Sequence, residues 1–269
     1  MTPGRPRLAA HRGGAALWPE NSLRAFANAI ALGCDLVEFD VHSTADGQIV
    51  VIHDHLLERT TDGTGPVAAR TAAELRALRL RGPDGALTGE HVPMLDEVLA
   101  VVAPSRAGIL LEVKGPQRLD VLYERAPGGA RAVAGARYEG LEDRVLDALA
   151  RAGVGERTSV MAFNPDLIAR VRALAPAQLT TLLVGHAHVM LVEGRPEDSI
   201  AWAARVGAGA AGLQHTLVNE AVMDAARAAG LGVGVWTVND EAAMRRLAAL
   251  GVDVITTDRP DLGLRVLGP

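Results

Sequence analysis

The sequence predicts a closed (β/α)₈ barrel, the TIM-barrel form of the α/β class, in which eight parallel strands alternate with helices. Two observations predict it. Short apolar, β-branched runs recur eight times along the chain, separated by longer segments of helical periodicity. A chain of 269 residues, of which 49% are hydrophobic, also suits a single barrel domain of about 250 residues.

The predicted elements follow this alternation from one end of the chain to the other. The eight apolar runs read as barrel strands are 8–10, 36–41, 109–113, 159–163, 179–184, 210–213, 233–238 and 252–256. The clearest helical patterns between them are 22–32, 165–174, 219–229 and 241–250. Strands and helices in this order predict a parallel sheet that closes on itself.

A ninth apolar run, 49–52, does not fit the barrel count. It follows the second strand after only seven residues, and Asp46-Gly47 between the two runs is a hairpin turn signal. A connection this short cannot cross over between parallel strands, so the run is expected to return antiparallel beside the second strand. That return would bring His53 back to the barrel rim.

Two further segments interrupt the repeat. The stretch 56–106 holds two amphipathic segments, 71–80 and 95–102, among glycines and prolines, and is read as an insertion within one domain spanning 1–269. The stretch 116–140 is rich in Gly, Ala and Arg with weak periodicity, and is predicted to be a mobile loop.

The charge and apolar content of the chain indicate which kinds of partner and location to expect. The chain carries 27 basic and 32 acidic residues, and no Lys/Arg block that would follow a nucleic-acid backbone, so nucleic acid is not an expected partner. It has neither a signal-like start nor a run of about 20 apolar residues, so no stable membrane insertion and a cytoplasmic location are expected. Cys34 is the single cysteine and is read as a buried apolar residue. The oligomeric state is left open.

Three carboxylates are placed to bind a metal ion. Glu38 and Asp40 share one face of the second strand, and Glu112 closes the third. Catalytic groups of such barrels lie at the carboxyl-terminal ends of the strands, and carboxylate oxygens are preferred by hard divalent cations. We therefore expect one Mg²⁺, Ca²⁺ or Mn²⁺ ion at Glu38, Asp40 and Glu112. The alternative is that these acids only pair with Arg12 and Lys114, which would leave a buried negative charge uncompensated.

The same rim carries groups suited to phosphodiester chemistry. The unperturbed pKa of a histidine side chain is near neutrality, so one of His11 and His53 can accept a proton from a nucleophile while the other protonates a leaving alkoxide. Arg12 and Lys114 can hold phosphate oxygens, and Trp236 can form an apolar wall for the ligand. Glu20-Asn21 is equally consistent with capping the helix near Ser22 and with a place in the site.

Two other patterns are given structural interpretations. Gly63-Thr64-Gly65 resembles a phosphate-binding loop, but no strand and helix flank it as a nucleotide loop requires, so it is read as a turn. His186 and His188 could bind a second metal ion. They are read instead as part of a surface loop, because no nearby acid or cysteine completes a metal site.

Taken together, these motifs resemble the glycerophosphodiester phosphodiesterases nearly end to end. The resemblance rests on AHRGG, on PENSLRAFANAIALGCDLVEFDVHSTADGQIVVIHDHLLERTTDGTG, and on VPMLDEVL, LLEVKG, AFNPDLI, GVGVWTVND and GVDVITTDRPDL. It implies a metal-dependent barrel with an insertion after the antiparallel return strand. It also implies that Glu38, Asp40 and Glu112 correspond to metal ligands and that His11 and His53 correspond to the catalytic pair. Arg12 and Lys114 then match positions that contact phosphate and substrate.

The expected activity is metal-dependent hydrolysis of glycerophosphodiesters to sn-glycerol 3-phosphate and an alcohol. The sequence pattern also resembles that of the phosphoinositide-specific phospholipases C. This resemblance implies that the glycerol 2-hydroxyl attacks phosphorus to give a cyclic phosphate, which water then opens. The sequence does not assign acid and base between the two histidines. One alternative is lysophospholipase D-type cleavage on the same barrel, which would need an exposed apolar surface, and no such loop is expected beside the rim. The other is a noncatalytic barrel that binds phosphometabolites.

Overall fold

The structure is a computed structural model that describes residues 4–117, 121–126 and 129–268. The strands in chain order are β1 Arg7–Ala10, β2 Leu36–Ser43, β3 Ile49–Val51, β4 Arg79–Arg81, β5 Leu87–His91, β6 Gly108–Val113, β7 Val121–Ala126, β8 Gly129–Ala134, β9 Thr158–Ala162, β10 Leu179–Val184, β11 Ala210–Gln214, β12 Gly232–Trp236 and β13 Val254–Thr257. The α-helices are α1 Leu23–Leu32, α2 Ala72–Arg76, α3 Leu95–Val102, α4 Leu141–Ala152, α5 Pro165–Leu174, α6 His186–Leu191, α7 Asp198–Arg205, α8 Glu220–Ala229, α9 Glu241–Leu250 and α10 Pro260–Leu267.

Eight parallel strands form the barrel, in the order β1, β2, β6, β9, β10, β11, β12 and β13. Pairing of β1 with both β2 and β13 closes the sheet, and every barrel pair is parallel. The predicted TIM barrel is therefore confirmed. All eight apolar runs named from the sequence are barrel strands, and strand alternation sends their side chains alternately outward to the helices and inward to the lumen.

The predicted return strand is also confirmed. β3 pairs antiparallel with the end of β2, with His42 opposite Val50. The turn between them includes Gly47, whose φ of +76° is the left-handed conformation that glycine adopts without strain. His53 follows β3 directly, and this hairpin brings it back beside the carboxyl-terminal end of β2.

The predicted helix over 71–80 is shorter than expected. It begins with a capping box between Thr71 and Glu74 and ends at Arg76 as α2. Beyond it the backbone of Arg79 exchanges hydrogen bonds with Asp62, and β4 pairs antiparallel with β5. Tertiary pairing of residues 79–81 therefore replaces the helical hydrogen bonds that the sequence periodicity predicted.

The stretch 56–106 contains two kinds of packing. Its first part contributes to a small core of its own with the end of the return strand, and Leu57, Leu75 and Leu80 are buried there. The predicted helix 95–102 is confirmed as α3, but it packs against α1 in the main core and so serves as the barrel's second outer helix. The organisation as one domain with an insertion at about 56–106 stays a prediction.

The stretch 116–140 was predicted to be a mobile loop. Positions 118–120 and 127–128 lie outside the described residues. The backbone of much of the rest pairs as an antiparallel hairpin of β7 and β8, which approaches α5. In the described part of the chain, no helix is both long enough and apolar enough to cross a lipid bilayer.

Candidate active site

The turn after β1 has an unusual backbone. Arg12 adopts φ +51°, a left-handed conformation that is uncommon for a residue with a side chain, and Gly13 and Gly14 follow with positive φ. A Cβ atom at Gly13 would lie 2.6 Å from the Cβ of Ala25 in α1, so only glycine allows this close approach. This turn directs the Arg12 backbone N–H to Glu38 Oε2 at 2.8 Å. Strained backbone of this kind is often found at functional sites.

The three carboxylates predicted as metal ligands lie together. Asp40 of β2 is directly opposite Glu112 of β6 in the parallel register, and Glu38 is one inward position below Asp40. All three are buried, and one oxygen from each lies within 4.8 Å of the others. No other group of this kind is found among the described residues. The donor set is all oxygen, which is what Mg²⁺, Ca²⁺ and Mn²⁺ prefer.

The charges of the cluster are those expected of a site that binds a cation. Burial and the neighbouring Asp40 raise the pKa of Glu38 well above its usual value, against the effect of Arg12. Burial also opposes ionisation of Asp40, but Lys114, His53 and Arg12 together hold its pKa well below the usual range. Three acids thus share only two permanent cations, and a divalent cation would allow all three to be ionised. The residues present therefore fit a metal ion.

Both predicted phosphate-binding cations contact the carboxylates. Lys114 Nζ lies 2.6 Å from Glu112 Oε1 and 3.1 Å from Asp40 Oδ1. Burial alone would lower the pKa of Lys114, but these two carboxylates outweigh it and raise that pKa above its usual value, so the ammonium stays charged. Arg12 Nε lies 3.5 Å from Asp40 Oδ2, and its Nη1 donates to Glu20 Oε1 at 2.9 Å. Glu20 therefore belongs to the site rather than to a helix cap.

Asn21 also belongs to the site rather than to a cap. Its Nδ2 donates to Asp40 Oδ2 at 3.1 Å, and its backbone is left-handed at φ +56°. The oxygen that caps α1 instead comes from the side chain of Ser22, which accepts from the backbone N–H of Ala25.

The first predicted catalytic histidine is oriented by a carboxylate from the far end of the chain. His11 Nδ1 lies 2.6 Å from Asp258 Oδ1, just after β13. Asn239 fixes that carboxylate, donating from Nδ2 to Asp258 Oδ2 at 2.7 Å and accepting from its backbone N–H at 2.9 Å. With Nδ1 occupied in this way, His11 Nε2 lies on the metal-ligand side, 4.0 Å from Glu38 Oε2.

The second predicted catalytic histidine has a parallel arrangement. His53 Nδ1 lies 2.6 Å from Asp54 Oδ1, and Arg59 in turn donates to both oxygens of Asp54 and both oxygens of Glu20. Burial lowers the pKa of His53, and the charge of Lys114 adds to this effect, while Asp40 and Asp54 oppose it. A chain of ion pairs therefore joins His53, through Asp54, Arg59 and Glu20, to Arg12.

The backbone carbonyl of His53 also accepts a hydrogen bond from a buried side chain of β2. The buried ring of His42 donates from Nε2 to the carbonyl of His53 at 3.0 Å, and its Nδ1 accepts from the hydroxyl of Tyr138 at 3.0 Å. Burial lowers the pKa of His42 to about 4, so this ring is neutral and can make both bonds.

Trp236 lies on the opposite side of the mouth, as part of an aromatic wall. Its ring meets Phe163 edge to face, with 5.5 Å between centroids, and its Nε1 donates to the carbonyl of Gly212 at 2.9 Å. Lys114 Nζ is 6.0 Å from the centroid of Phe163. One cavity is lined by seven of the eight predicted site residues. The eighth, Asp40, lies in the carboxylate cluster with Glu38 and Glu112, so the structure brings the predicted set to a single place.

Two of the remaining interpretations can be compared with the structure. Gly63-Thr64-Gly65 lies in a region without strand or helix, as expected of a turn. His186 and His188 begin the short helix α6 rather than a loop. His188 accepts from the backbone N–H of Gly185 and packs against Phe163. Among the described residues neither belongs to a possible metal group.

The expectation that no apolar surface flanks the rim was wrong. Met190 and Leu191 at the end of α6 are 58% and 71% exposed, although α6 directly follows the carboxyl-terminal end of β10. The exposed pair was missed because these residues belong to a short helix whose apolar side chains are typical of a core.

Sequence reasoning also missed the residues that orient the histidines. Asp258 directly follows the barrel strand β13, and Glu112 also lies near the end of its strand, so the position of Asp258 was an available signal. Arg59 gave no such signal, because it lies in an irregular stretch and its partner Glu20 is 39 residues away.

Comparison with known proteins agrees with this geometry. The family model for the glycerophosphoryl diester phosphodiesterase family matches residues 11–262. The YhdW protein of Bacillus subtilis is 32% identical over 256 residues, covering 94% of this chain and 95% of the relative. A glycerophosphodiester phosphodiesterase of Caldanaerobacter subterraneus is 30% identical over 255 residues, covering 94% and 93%.

Solved structures give the same result. The crystal structure of a glycerophosphodiester phosphodiesterase from Agrobacterium tumefaciens is 28% identical, covers 97% of this chain and 100% of that one, and superposes with a TM-score of 0.75. An Oleispira antarctica phosphodiesterase, solved in complex with the product sn-glycerol-3-phosphate, shares the fold at 23% identity, with 98% of each chain covered and a TM-score of 0.74. The chain therefore belongs to the glycerophosphoryl diester phosphodiesterase family and is an enzyme of that class.

Proposed function

We propose that this enzyme hydrolyses glycerophosphodiesters to sn-glycerol 3-phosphate and an alcohol, that it requires one divalent metal ion, and that His11 and His53 act as its acid and base. The observation that carries the proposal is the pair of carboxylate-held histidines beside one buried cluster of three acids. The distant Oleispira antarctica relative, which was solved with sn-glycerol-3-phosphate, is consistent with this product.

Glu38, Asp40 and Glu112 would hold the metal ion, which we propose to be Mg²⁺, Ca²⁺ or Mn²⁺. When bound, such an ion stabilises the negative charge that develops on the phosphoryl oxygens. Arg12 and Lys114 have the same effect from fixed positions. Both are already oriented by the carboxylates, so little reorganisation is needed when the phosphate arrives.

The two histidines would divide the proton transfers. One Nε2 accepts the proton of the glycerol 2-hydroxyl as O2 attacks phosphorus, while the other donates a proton to the oxygen of the departing alcohol. The P–O2 bond forms, the P–O bond to the alcohol breaks, and a cyclic phosphate results. In the second step water adds to phosphorus with the roles reversed, and O2 leaves as a hydroxyl. The two Asp partners would keep each Nδ1 protonated, so that each Nε2 faces the substrate.

The wall of Trp236 and Phe163 would pack against the carbon atoms of the substrate. These rings are the apolar boundary opposite the charged groups, so they orient the diester without competing for its phosphate. A small-molecule diester is the partner this site fits, and the cytoplasmic location stays a prediction.

The noncatalytic alternative is less well supported. Binding a phosphodiester requires cations but not two histidines with matched carboxylate partners. A second observation that favours catalysis is the left-handed Arg12 turn, because strained backbone is retained where geometry must be defined closely.

The test is release of sn-glycerol 3-phosphate from glycerophosphocholine and glycerophosphoethanolamine. Metal-stripped protein would be assayed alone and after adding Mg²⁺, Mn²⁺ or Ca²⁺. We expect release only with metal, loss of release in Glu112→Gln, and at least about a hundredfold lower turnover in His11→Ala and in His53→Ala. Folded protein that releases nothing with any ion would refute the proposal, and normal turnover in either histidine variant would refute the proton-transfer roles.

A further inference from the structure

The interior of the barrel has a second opening, at the end opposite the candidate active site. The cavity that begins at the carboxyl-terminal rim has a volume of about 450 Å³ and continues down the lumen to Arg7, Leu179 and Gly232, the first residues of β1, β10 and β12. Arg7 and Leu179 are exposed, so the lumen reaches solvent at the amino-terminal ends of the strands. Barrels of this type are normally filled by layers of branched side chains.

The lumen is open because two neighbouring strands present almost no side chains to it. Ala210 and Gly212 of β11 lie in register with Gly232 and Gly234 of β12, and all four residues line the cavity. A Cβ atom at Gly234 would meet only Val254 Cβ, at the ordinary contact distance of 3.6 Å. Gly234 thus faces free volume, and its backbone φ does not require glycine.

The walls of the lumen are mainly apolar. Buried apolar side chains from four strands line it, namely Leu110, Met161, Leu183 and Val254. The hydroxyls of Ser159 and Thr181 bond to each other at 2.8 Å, which reduces their capacity to hold water. Such a volume binds hydrocarbon more favourably than water.

The lower mouth of this lumen, at the amino-terminal ends of the strands, carries an apolar residue and a cation. Leu179 is 53% exposed and extends the apolar wall to the surface. The guanidinium of Arg7 makes no hydrogen bond or ion pair with any residue that the structure describes. Its charge acts on Asp35 from a distance, and the oxygens of Asp35 already accept from Arg5 and from the backbone N–H of Leu8. The mouth is therefore complementary to an anionic head on an aliphatic chain.

We propose that the lumen is a binding site for an aliphatic carboxylate, such as a fatty acid of medium chain length, that enters through the lower mouth. Its carboxylate lies on Arg7 and its chain extends upward to Trp236. From Gly232 to Trp236 the strand covers about 13 Å, which is the depth available to the chain. The site is separate from the candidate active site and takes no part in the proposed phosphodiester chemistry.

The charges at the two ends of the lumen favour this orientation. At the rim, three buried carboxylates already lie together and repel a fourth in the metal-free protein, namely those of Glu38, Asp40 and Glu112. At the lower mouth Asp253 also lines the cavity, and its Oδ2 accepts from the backbone N–H of Val233 at 2.7 Å. One guanidinium near one carboxylate suits a head with a single negative charge better than a head with two.

The first test is calorimetric titration of the metal-free protein with hexanoate, octanoate, decanoate and dodecanoate, all below their micelle concentrations. Affinity should rise about threefold to fourfold per added methylene and level off once the chain fills the lumen. In Gly234→Leu the new side chain occupies the lumen, and decanoate affinity should fall by at least about tenfold. Unchanged decanoate affinity in a folded Gly234→Leu variant would overturn the proposal.

A second lumen variant keeps the test decisive if Gly234→Leu does not fold. Ala210 lies near the lower mouth, in register with Gly232. Ala210→Leu should weaken the binding of hexanoate and decanoate alike, because both chains pass this level on entry. If hexanoate affinity is unchanged while decanoate affinity falls, the chain enters from the rim and the proposal is wrong.

The role of Arg7 is tested by comparing decanoate with the uncharged decanol. Arg7→Gln should weaken decanoate binding about fivefold, as expected of an exposed ion pair, and leave decanol binding unchanged. Arg7→Lys should retain most of the decanoate affinity. Arg205→Gln is the matched control, since Arg205 is exposed at the end of α7 and does not line the cavity. Equal decanoate affinity in Arg7→Gln and Arg205→Gln would overturn the proposed position of the carboxylate.

A brominated chain reports the direction of insertion. Bromine quenches indole fluorescence only at short range, and the substitutions Trp18→Phe and Trp202→Phe leave Trp236 as the single tryptophan. Decanoate brominated at its last carbon should quench Trp236, whereas decanoate brominated next to the carboxylate should not. The reverse pattern would mean that the carboxylate lies at the rim, and would overturn the proposal.

A last measurement separates this inference from the proposed function. Adding Mg²⁺ should leave decanoate affinity within about twofold, because the two sites lie at opposite ends of the lumen and no coupling between them is expected. Decanoate binding that occurs only with Mg²⁺ would place the carboxylate on an ion at the rim and refute the lower site. Chain-dependent binding without Mg²⁺ would support the lower site even if no diester were hydrolysed.

Discussion

Each of the two candidate catalytic histidines has one ring nitrogen held by a carboxylate and the other free for substrate. For His11 the carboxylate is Asp258, which is itself fixed by Asn239 from a neighbouring loop. For His53 it is Asp54, which is fixed by Arg59. Each carboxylate selects the tautomer of its histidine. Asp258 and Asp54 therefore determine which ring nitrogen can exchange protons with a substrate.

The substitution Asp258→Asn should therefore impair turnover without removing the metal. The amide can donate to Nδ1 and so favour the wrong tautomer of His11, and we expect kcat to fall by about 10²-fold or more. Asp261→Asn is the matched control, since Asp261 pairs with the surface residues Arg259 and Arg265. The measurements are kcat and the metal-induced rise in melting temperature. Equal kcat for Asp258→Asn and the control would show that His11 does not need this partner.

Arg59 makes a second prediction possible. It is 47% exposed, yet it joins Glu20 to Asp54 and so ties the Arg12 turn to the His53 loop. We expect Arg59→Gln to lower kcat about tenfold, because both partners lose charge-assisted hydrogen bonds. Arg79→Gln, which breaks the single pair with Asp62 in the same stretch of chain, should leave kcat within twofold. Similar kcat values for the two variants would mean that the ion-pair chain is not needed for catalysis.

At the scale of residues, the predictable part of the site was the part carried by strands. Glu38, Asp40 and Glu112 could be placed together because alternation and barrel topology determine where inward residues at strand ends meet. Arg59 and Glu20 meet through irregular segments, where no periodicity relates sequence position to direction. Side chains that position the candidate catalytic residues were therefore harder to find than those residues themselves.

At the scale of elements, the sequence patterns were most reliable where local and tertiary preferences agree. Helix α8 begins after Asn219, whose side chain accepts from Val222 N, and ends at Gly230 in the left-handed conformation, so its bounds were readable. The helix predicted over 71–80 ends early because residues 79–81 pair with β5. The turn signal Pro83-Asp84-Gly85 between these two strands was the local indication of that hairpin.

The junction of β1 and β2 gives a prediction about pH. Asp35 accepts from the backbone N–H of Leu8 at 2.7 Å and from Arg5 at 2.6 and 3.1 Å. Burial would raise the pKa of Asp35, but these donors outweigh it and lower the pKa below its usual value. Because the folded state favours the carboxylate, the stabilisation is complete above the unfolded pKa of about 3.9 and is lost as pH falls through the folded value.

Asp35→Asn should accordingly lower the free energy of unfolding at pH 7 by about 1–3 kcal/mol. Urea unfolding of the wild type and the variant, measured from pH 7 down to pH 3, should show the difference shrinking once the pH falls below about 4. Asp147→Asn on the exposed face of α4 is the control and should show no such difference. A difference that stays constant to the lowest pH would mean that the effect comes from packing rather than charge.

At the scale of the whole molecule, the least favourable charges of the barrel, three buried carboxylates, lie at the candidate metal site. The described core is continuous around the outside of the strands, whereas the inside carries a cluster of buried acids at one end and free volume below it. Both features cost stability, since buried like charges repel and empty volume forfeits contacts. They are consistent with an interior adapted to a cation and a substrate rather than to maximal stability.

Metal binding should therefore stabilise the entire fold. A divalent ion at a hundred times its dissociation constant adds about 2.7 kcal/mol to the free energy of unfolding, which for a chain of this size raises the melting temperature by several degrees. Glu38→Gln should abolish this rise, because it removes a ligand. It should not lower the melting temperature of the metal-free protein, because it also removes a repulsive charge while its amide oxygen can still accept from Arg12. Scanning calorimetry with and without Mg²⁺, Mn²⁺ or Ca²⁺ tests both statements, with the exposed Glu220→Gln as control. A metal-induced rise that persists in Glu38→Gln but not in Glu112→Gln would remove Glu38 from the ligand set, and a rise that persists in both would place the ion elsewhere.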